Sequence, residues 1–341
     1  MAGRTIGEVG EIELVGRILT ILASGTDNSA STLVRVGPGD DAAILACDGS
    51  VVLSTDSQHE GVHFRREWIT AQQLGRRAVA VSASDLGAMG AQPTGFLVAL
   101  ALPPETDLEW VEALALGLRD GAHRYGASIV GGDVAGVPGR ISINVTAVGE
   151  GPQGPGGGRA GAAPGQQFFV TGWPGRAAAG RRILQAGGNE GYQGGAAQAC
   201  VRAFVDPDPP VEFGVAAVRG GLVAAMMDIS DGVAIDLGRL CGASGVGAEL
   251  DGEALFADPL LDAVAADPPL DVRSCVLGGG EDYELLCAVA DVHVAVFSEL
   301  AVDHGVDVRA IGRAVVSRHG VTLNHEGRRE PLEQSGWDHF A

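Results

Sequence analysis

Aspartates in this chain gather in tight, glycine-flanked clusters at the ends of apolar runs. They occur at Gly39-Asp40-Asp41, Ser54-Thr55-Asp56, Asp228-Ile229-Ser230-Asp231-Gly232 and Gly278-Gly279-Gly280-Glu281-Asp282, with Ser84-Asp85 and Gly132-Asp133 adding two more. A carboxylate at the end of a buried strand is costly unless a cation or several donors hold it. The sequence places almost nothing cationic beside these acids. A shared cage for hard divalent cations, which take carboxylate oxygens and bridge to phosphates, explains them economically.

The chain contains no lysine; all 23 of its basic residues are arginine. Phosphate chemistry of the P-loop and protein-kinase kinds, each of which sets a lysine on the phosphates, is thereby excluded. So is Schiff-base chemistry on a lysine amine. Any phosphate handled here must be neutralised by metal ions and arginine.

A formal charge of −20 argues against nucleic-acid or anionic-membrane partners, which need basic patches. Acids such as Asp258, Asp262 and Asp267 read as solvated surface. The five cysteines (Cys47, Cys200, Cys241, Cys275, Cys287) are widely spaced and form no Cys-x-x-Cys pair, so buried free thiols in a reducing compartment are expected. The start, Met1-Ala2-Gly3-Arg4, leads into no long apolar run, which predicts a cytoplasmic protein without signal peptide or membrane span.

Length suggests roughly two domains. The periodicity predicts a helix over 4–24, strands at 33–36, 42–46 and 51–55, and a buried Ala-rich helix over 70–89. A strand over 95–102 follows, then a helix opened by a Thr106-x-x-Glu109 capping box and running to about Tyr125. Strands at 128–130 and 140–149 close this half. The Gly/Pro-rich stretch 151–165 marks the boundary, giving domains 1–150 and 151–341. Beyond it come a strand at 167–171, helices from about 175 and over 193–204, a strand at 222–228 and a helix over 231–241. The class predicted is α+β, mixed αβ.

Each cluster also has a plainer reading. Gly39-Asp40-Asp41 suits either a metal ligand or an Asx-turn. His63, between Val62 and Phe64, suits a phosphate or hydroxyl contact or a structural role. Asp85 sits in a helix of small apolar residues with no basic residue a turn away, which favours ligation. Gly131-Gly132-Asp133 reads as the end of a strand approached by a nucleotide, or as an ordinary turn. Ser230 or Asp231 could simply cap a helix, which accounts for one acid and not both. Glu281, on three glycines, suits a grip on a ligand or a sharp turn.

In order and spacing the set Gly-Asp-Asp-Ala-Ala (39–43), Ser-Thr-Asp…Glu-Gly-Val-His-Phe (54–64), Ser-Asp-Leu-Gly-Ala-Met-Gly-Ala-Gln-Pro (84–93), Gly-Gly-Asp (131–133), Asp-Ile-Ser-Asp-Gly (228–232), Gly-Gly-Glu-Asp-Tyr-Glu-Leu (279–285) and Gly-Trp-Asp-His-Phe (336–340) resembles the thiamine-monophosphate kinase family. The resemblance spans nearly the whole chain. It implies a two-domain fold like aminoimidazole-ribonucleotide synthetase, a homodimer formed through the N-terminal halves, and a C-terminal domain that completes the ATP and substrate site. It implies ATP-dependent phosphorylation of thiamine monophosphate with several Mg²⁺ ions. By motif position the metal ligands implied are Asp41, Ser54, Thr55, Asp56, Asp85, Asp133, Asp228 and Asp231. Nucleotide contacts implied are Gly132, Asp133, Arg159, Ser230 and Tyr125; substrate contacts are His63, Glu281 and Trp337. Ser82 stands where the family commonly has Asn, and Val134 where it has Thr. Pro207-Asp208-Pro209-Pro210 lacks an arginine that the family carries there. Other readings that keep the acidic cage are an aminoimidazole-ribonucleotide synthetase-like enzyme and a catalytically silent metal-binding scaffold.

Overall fold

The computed structural model describes residues 4–9, 11–23, 34–36, 44–45, 49–153, 157–187, 195–265 and 270–333. The chain divides into two compact units, Met1–Leu86 with Ala91–Gly151, and Gly87–Gly90 with Pro152–Ala341. The fold class is mixed αβ, as the sequence predicts.

The first unit contains α1 (Ile6–Val9), α2 (Glu11–Ala23), β1 (Val34–Val36), β2 (Ile44–Leu45), β3 (Val51–His59), α3 (Ala71–Ala88), β4 (Gln92–Leu102), α4 (Leu108–Arg124), β5 (Ser128–Gly136) and β6 (Ser142–Glu150). The N-terminal helix is thus two segments where the sequence suggests one. Strands β3-β6-β4-β5 form a four-stranded sheet in that order. Only the β4–β5 pairing is parallel. Strand β6 shows why one face is covered: Ile143, Val145 and Ala147 are buried, while Ser142, Asn144 and Thr146 alternate onto the open face. Helix α3 is buried nearly all round, because from Ala78 to Ala83 it carries only small or β-branched side chains. It approaches α4 so closely that a Cβ on Gly117 would strike the Gln72 carbonyl.

Two expectations for this unit are corrected. Helix α4 begins after Asp107 with no side-chain cap, and the buried Thr106 hydroxyl has no hydrogen-bond partner. The capping box does not form; instead Leu108 N–H donates to Arg4 O (2.9 Å) and Ile6 N–H to Thr106 O (2.9 Å). Strand β5 does not stop at Val130 but runs through Gly131-Gly132-Asp133. Pairing along β4 carries it past the glycines.

The second unit contains β7 (Gln167–Thr171), α5 (Arg176–Gln185), α6 (Gly195–Val205), α7 (Val211–Arg219), β8 (Ala225–Ile229), α8 (Val233–Ser244), β9 (Val246–Asp251), α9 (Gly252–Leu255), α10 (Pro259–Ala265), α11 (Val272–Gly278), β10 (Glu284–Val289), α12 (Val294–Asp303), β11 (Val308–Val316), β12 (Val321–His325) and β13 (Arg328–Pro331). Its seven-stranded sheet runs β13-β12-β9-β11-β7-β10-β8. All its pairings are antiparallel except β12 with β9. The central strands are covered on both faces: Phe168, Val170, Met227 and Leu286 join one apolar cluster, and Phe169, Met226 and Cys287 another. Double coverage is why these strands read as unbroken apolar runs. Cys200, Cys241, Cys275 and Cys287 are buried free thiols, and burial pushes the Cys200 thiol up to about 12. Cys47 lies outside the described residues. Among the described residues no helix is long and apolar enough to cross a membrane.

Candidate active site

The pleat of β3 sorts the Ser54-Thr55-Asp56 motif onto two faces. Ser54 and Asp56 point to the helix-covered side, where the Ser54 hydroxyl donates to Asp85 Oδ2 on α3. Asp56 Oδ2 is buried and has no hydrogen-bond partner. Burial, and then the charge of Asp85, push the Asp56 carboxyl up to about 6, while a hydrogen bond with Ser82 pulls the other way. Two carboxylates, one with an orphan oxygen, and a hydroxyl make an all-oxygen donor set, which suits a hard cation such as Mg²⁺ and fits neither zinc nor copper preference. Among the described residues no three His, Cys, Asp or Glu side chains stand together as a metal site, so a cation here would need oxygens from elsewhere.

Thr55 faces the open side. Its hydroxyl donates to Val145 O and accepts from Thr146, both at 3.2 Å. Asp133 lies on that same open face, in the cross-strand row Ser57–Asn144–Ala99–Asp133. The structure therefore brings Ser54, Asp56 and Asp85 together and sets the side chains of Thr55 and Asp133 on the other surface of the sheet. Gly132 is exposed, and a Cβ there would strike the Val98 carbonyl of the neighbouring strand. The Tyr125 ring is buried at the end of α4, and its carbonyl accepts from Gln92 Nε2 at 3.2 Å.

His63 sits in a tight turn after β3. Its Nδ1 accepts the backbone N–H of His59 at 3.0 Å, and its own N–H donates to His59 O at 2.9 Å. An amide can only donate, so Nδ1 holds a lone pair and the ring proton resides on Nε2. His63 is thus set as a neutral N–H donor. The His59 ring packs beside it, with centroids 5.5 Å apart, and Ser142 bonds His59 Nδ1 at 2.9 Å.

In the second unit Asp228 is the penultimate residue of β8, 7% exposed and opposite Leu285 of β10. Ser230 and Asp231 form the loop into α8, which begins at Val233 and not at Asp231. That loop is fixed by Asp236, which sequence reasoning missed. Its Oδ2 accepts the N–H groups of Ser230 (3.0 Å) and Asp231 (2.9 Å). The signal available was an acid in the first turn of a helix that follows Ser-Asp-Gly, where carboxylates complement the N-terminus. Arg239 bonds Asp231 at 2.5 Å and Asp236 at 2.8 Å. Glu281 lies in a loop tied to the same junction: its N–H donates to Ser230 O and that of Tyr283 to Ile229 O, each at 2.8 Å. Asp282 turns away and accepts the N–H groups of Gly175 (2.8 Å) and Ala177 (3.1 Å) at the start of α5. Burial pushes its carboxyl up to about 8, against those two donors. Arg159 is exposed, and its carbonyl accepts from the Ser244 hydroxyl at 2.7 Å. Asp41 and Trp337 lie outside the described residues.

The expectation that the acids lack cationic partners fails at Asp231, which Arg239 holds. The reading of Asp258 as a surface acid fails as well: it is 1% exposed and takes a two-bond ion pair from Arg176 at 2.6 and 2.8 Å.

Residues 39–150 match the family model described as AIR synthase related protein, N-terminal domain, and residues 175–324 the corresponding C-terminal domain. A thiamine-monophosphate kinase of Mycobacterium tuberculosis is 39% identical over 340 residues, covering 99% of this chain and 93% of the relative. The chain belongs to the thiamine-monophosphate kinase family. Two solved structures share the fold of this family member. The crystal structure of thiamine-monophosphate kinase from Stenotrophomonas maltophilia superposes with a TM-score of 0.80 at 30% identity, covering 92% of this chain and 96% of that one. A structure titled AaThiL complexed with AMPPCP and TMP gives 0.76 at 28% identity, covering the whole of both chains. The motifs that resemble the thiamine-monophosphate kinases are also those that build the Ser54–Asp56–Asp85 group and the β8–α8 junction.

Proposed function

We propose that the protein transfers the terminal phosphoryl group of ATP to the phosphate of thiamine monophosphate, forming thiamine diphosphate. The buried, unpartnered Asp56 oxygen beside Asp85 carries this reading, because it is a carboxylate oxygen whose burial in the ionised form a bound cation would offset. The full-length relatives and the AaThiL complex with AMPPCP and TMP support the choice of substrates. In the first unit Ser54, Asp56 and Asp85 would hold Mg²⁺; Thr55 and Asp133, on the other surface of the sheet, would serve only a separate ion; in the second, Asp228 and Asp231 would do so. When bound, Mg²⁺ supplies charge neutralisation on the phosphates.

No general base is assigned. A phosphate monoester with a second pKa near 6 is largely ionised at neutral pH and is its own nucleophile. His63, with Nδ1 committed to a backbone amide, cannot take a proton there without losing that bond, and would contact the substrate phosphate. Glu281 would contact the substrate, and Ser230, Gly132, Asp133, Tyr125 and Arg159 the nucleotide. Arginine supplies the fixed positive charge, since the chain has no lysine.

The test is ADP release from Mg-ATP with thiamine monophosphate, with free thiamine, and with no acceptor. Release is expected with the monophosphate alone. Equal conversion of free thiamine would overturn the proposal, because an alcohol needs a base that this reading does not provide. His63→Ala is expected to raise the KM for thiamine monophosphate roughly tenfold with a smaller change in kcat, as for loss of one hydrogen bond to a charged group. A drop confined to kcat would place His63 in the chemical step instead.

A homodimer through the N-terminal unit is part of the proposal. The open face of the four-stranded sheet exposes Leu53 (65%), Val51 (49%) and Leu97 (39%), apolar surface suited to burial against a second copy. Light scattering of the purified protein should give twice the chain mass.

A further inference from the structure

Arg239 lies in the second turn of α8, and its Nη1 serves two carboxylates, Asp231 Oδ2 at 2.5 Å and Asp236 Oδ1 at 2.8 Å. The two are not equivalent. Asp236 is completely buried, and its other oxygen is committed to the backbone N–H groups of Ser230 and Asp231. Asp231 is 23% exposed at its side chain and stands at the outer end of the network. Arg239 therefore has a fixed partner in Asp236 and a second partner in Asp231, a proposed cation ligand.

We propose that Arg239 is a built-in counter-charge for Asp231, one that opposes a divalent cation at this carboxylate and so sets how tightly the second unit takes one. The inference rests on the reading of Asp231 as a cation ligand. A cation reaching Oδ2 must displace the guanidinium. A cation reaching the other oxygen of Asp231 sits within a few ångströms of a like charge. Both cases lower its affinity. A guanidinium is suited to this because its several N–H groups allow it to leave Asp231 and keep Asp236. Affinity lowered in this way favours a cation that arrives with its own anionic ligand over a bare one.

The experiment is a titration of full-length protein with Mn²⁺ alone, following free Mn²⁺ by electron paramagnetic resonance, for wild type, Arg239→Gln, Arg239→Lys, Asp231→Asn and the Arg239→Gln/Asp231→Asn double variant. Arg239→Gln is expected to bind Mn²⁺ roughly fivefold more tightly, the scale of one charge at a partly exposed site. Arg239→Lys, which keeps the charge, should stay near wild type. The double variant should titrate as Asp231→Asn does. Arg239→Gln binding no more tightly than wild type overturns the proposal while Asp231 keeps its role, and so does Arg239→Lys binding as tightly as Arg239→Gln. Asp231→Asn titrating like wild type removes Asp231 from the ligand set, and the proposal falls with that reading.

Discussion

Asp56→Asn is expected to lower turnover of thiamine monophosphate by at least ~100-fold while leaving the protein folded, because under the proposed mechanism it removes a charge that holds the phosphoryl group's counter-ions. The same substitution should stabilise the protein when cations are removed. In the fold the Asp56 carboxyl titrates at about 6, against 3.8 in the unfolded chain. A folded-state value above the unfolded one means that stability is fully present below pH 3.8 and is lost as pH rises through 6. At pH 8 the ionised group therefore costs on the order of 3 kcal/mol, which asparagine avoids. In EDTA the variant should melt above wild type at pH 8, and the gap should narrow as pH falls through 6 and close near 3.8. Saturating Mg²⁺ should raise the melting temperature of the wild type more than that of the variant. Wild-type turnover in Asp56→Asn, or a melting temperature indifferent to pH and chelation in both proteins, would falsify the role assigned to Asp56.

Arg176→Ala is expected to cost stability more than any surface substitution. Its partner Asp258 is 2% exposed at the side chain, and the pair is joined by two short bonds. Removing one member of a buried pair strands the other, at about 3 kcal/mol. For a unit of this size that is a fall of roughly 6–12 °C in Tm, read by calorimetry. Asp258→Asn in the same chain should recover most of the loss, since the stranded charge is gone and the amide oxygen can still accept Leu260 N–H. No change in Tm for Arg176→Ala would mean that Asp258 is solvated.

How far the sequence could be read depended on the range of the interactions involved. Ser54, Asp56 and Asp85 were legible because each stands out locally, an acid or hydroxyl at the end of an apolar run. The αβ class was legible for the same reason, since strand and helix periods are local. Asp258 was not legible: what makes it an interior residue is Arg176, 82 positions away. Asp236 and Arg239 carry little local signal beyond being polar positions in a helix, and only the hydrogen bonds to Ser230 and Asp231 show what they hold. The continuation of β5 through two glycines was hidden too, because pairing with β4 overrides the low strand preference of Gly-Gly-Asp. The failed capping box at Thr106 has a similar cause, with the N-terminal segment supplying the backbone partners that the side chain would have provided.

The loop that carries Glu281 is held from two directions. Backbone bonds tie Glu281 and Tyr283 to the β8–α8 junction, and Asp282 anchors it to the start of α5. Glu281 and Tyr283 both adopt left-handed backbone angles, φ 66° and 55°. Such conformations persist when their surroundings over-determine them. A loop ordered before any encounter behaves as a rigid wall in association. Under the proposed role of Glu281 as a substrate contact, its contribution to selectivity is largely entropic: a partner that fits loses no free energy to folding the loop, and a misfit gains no accommodation from it.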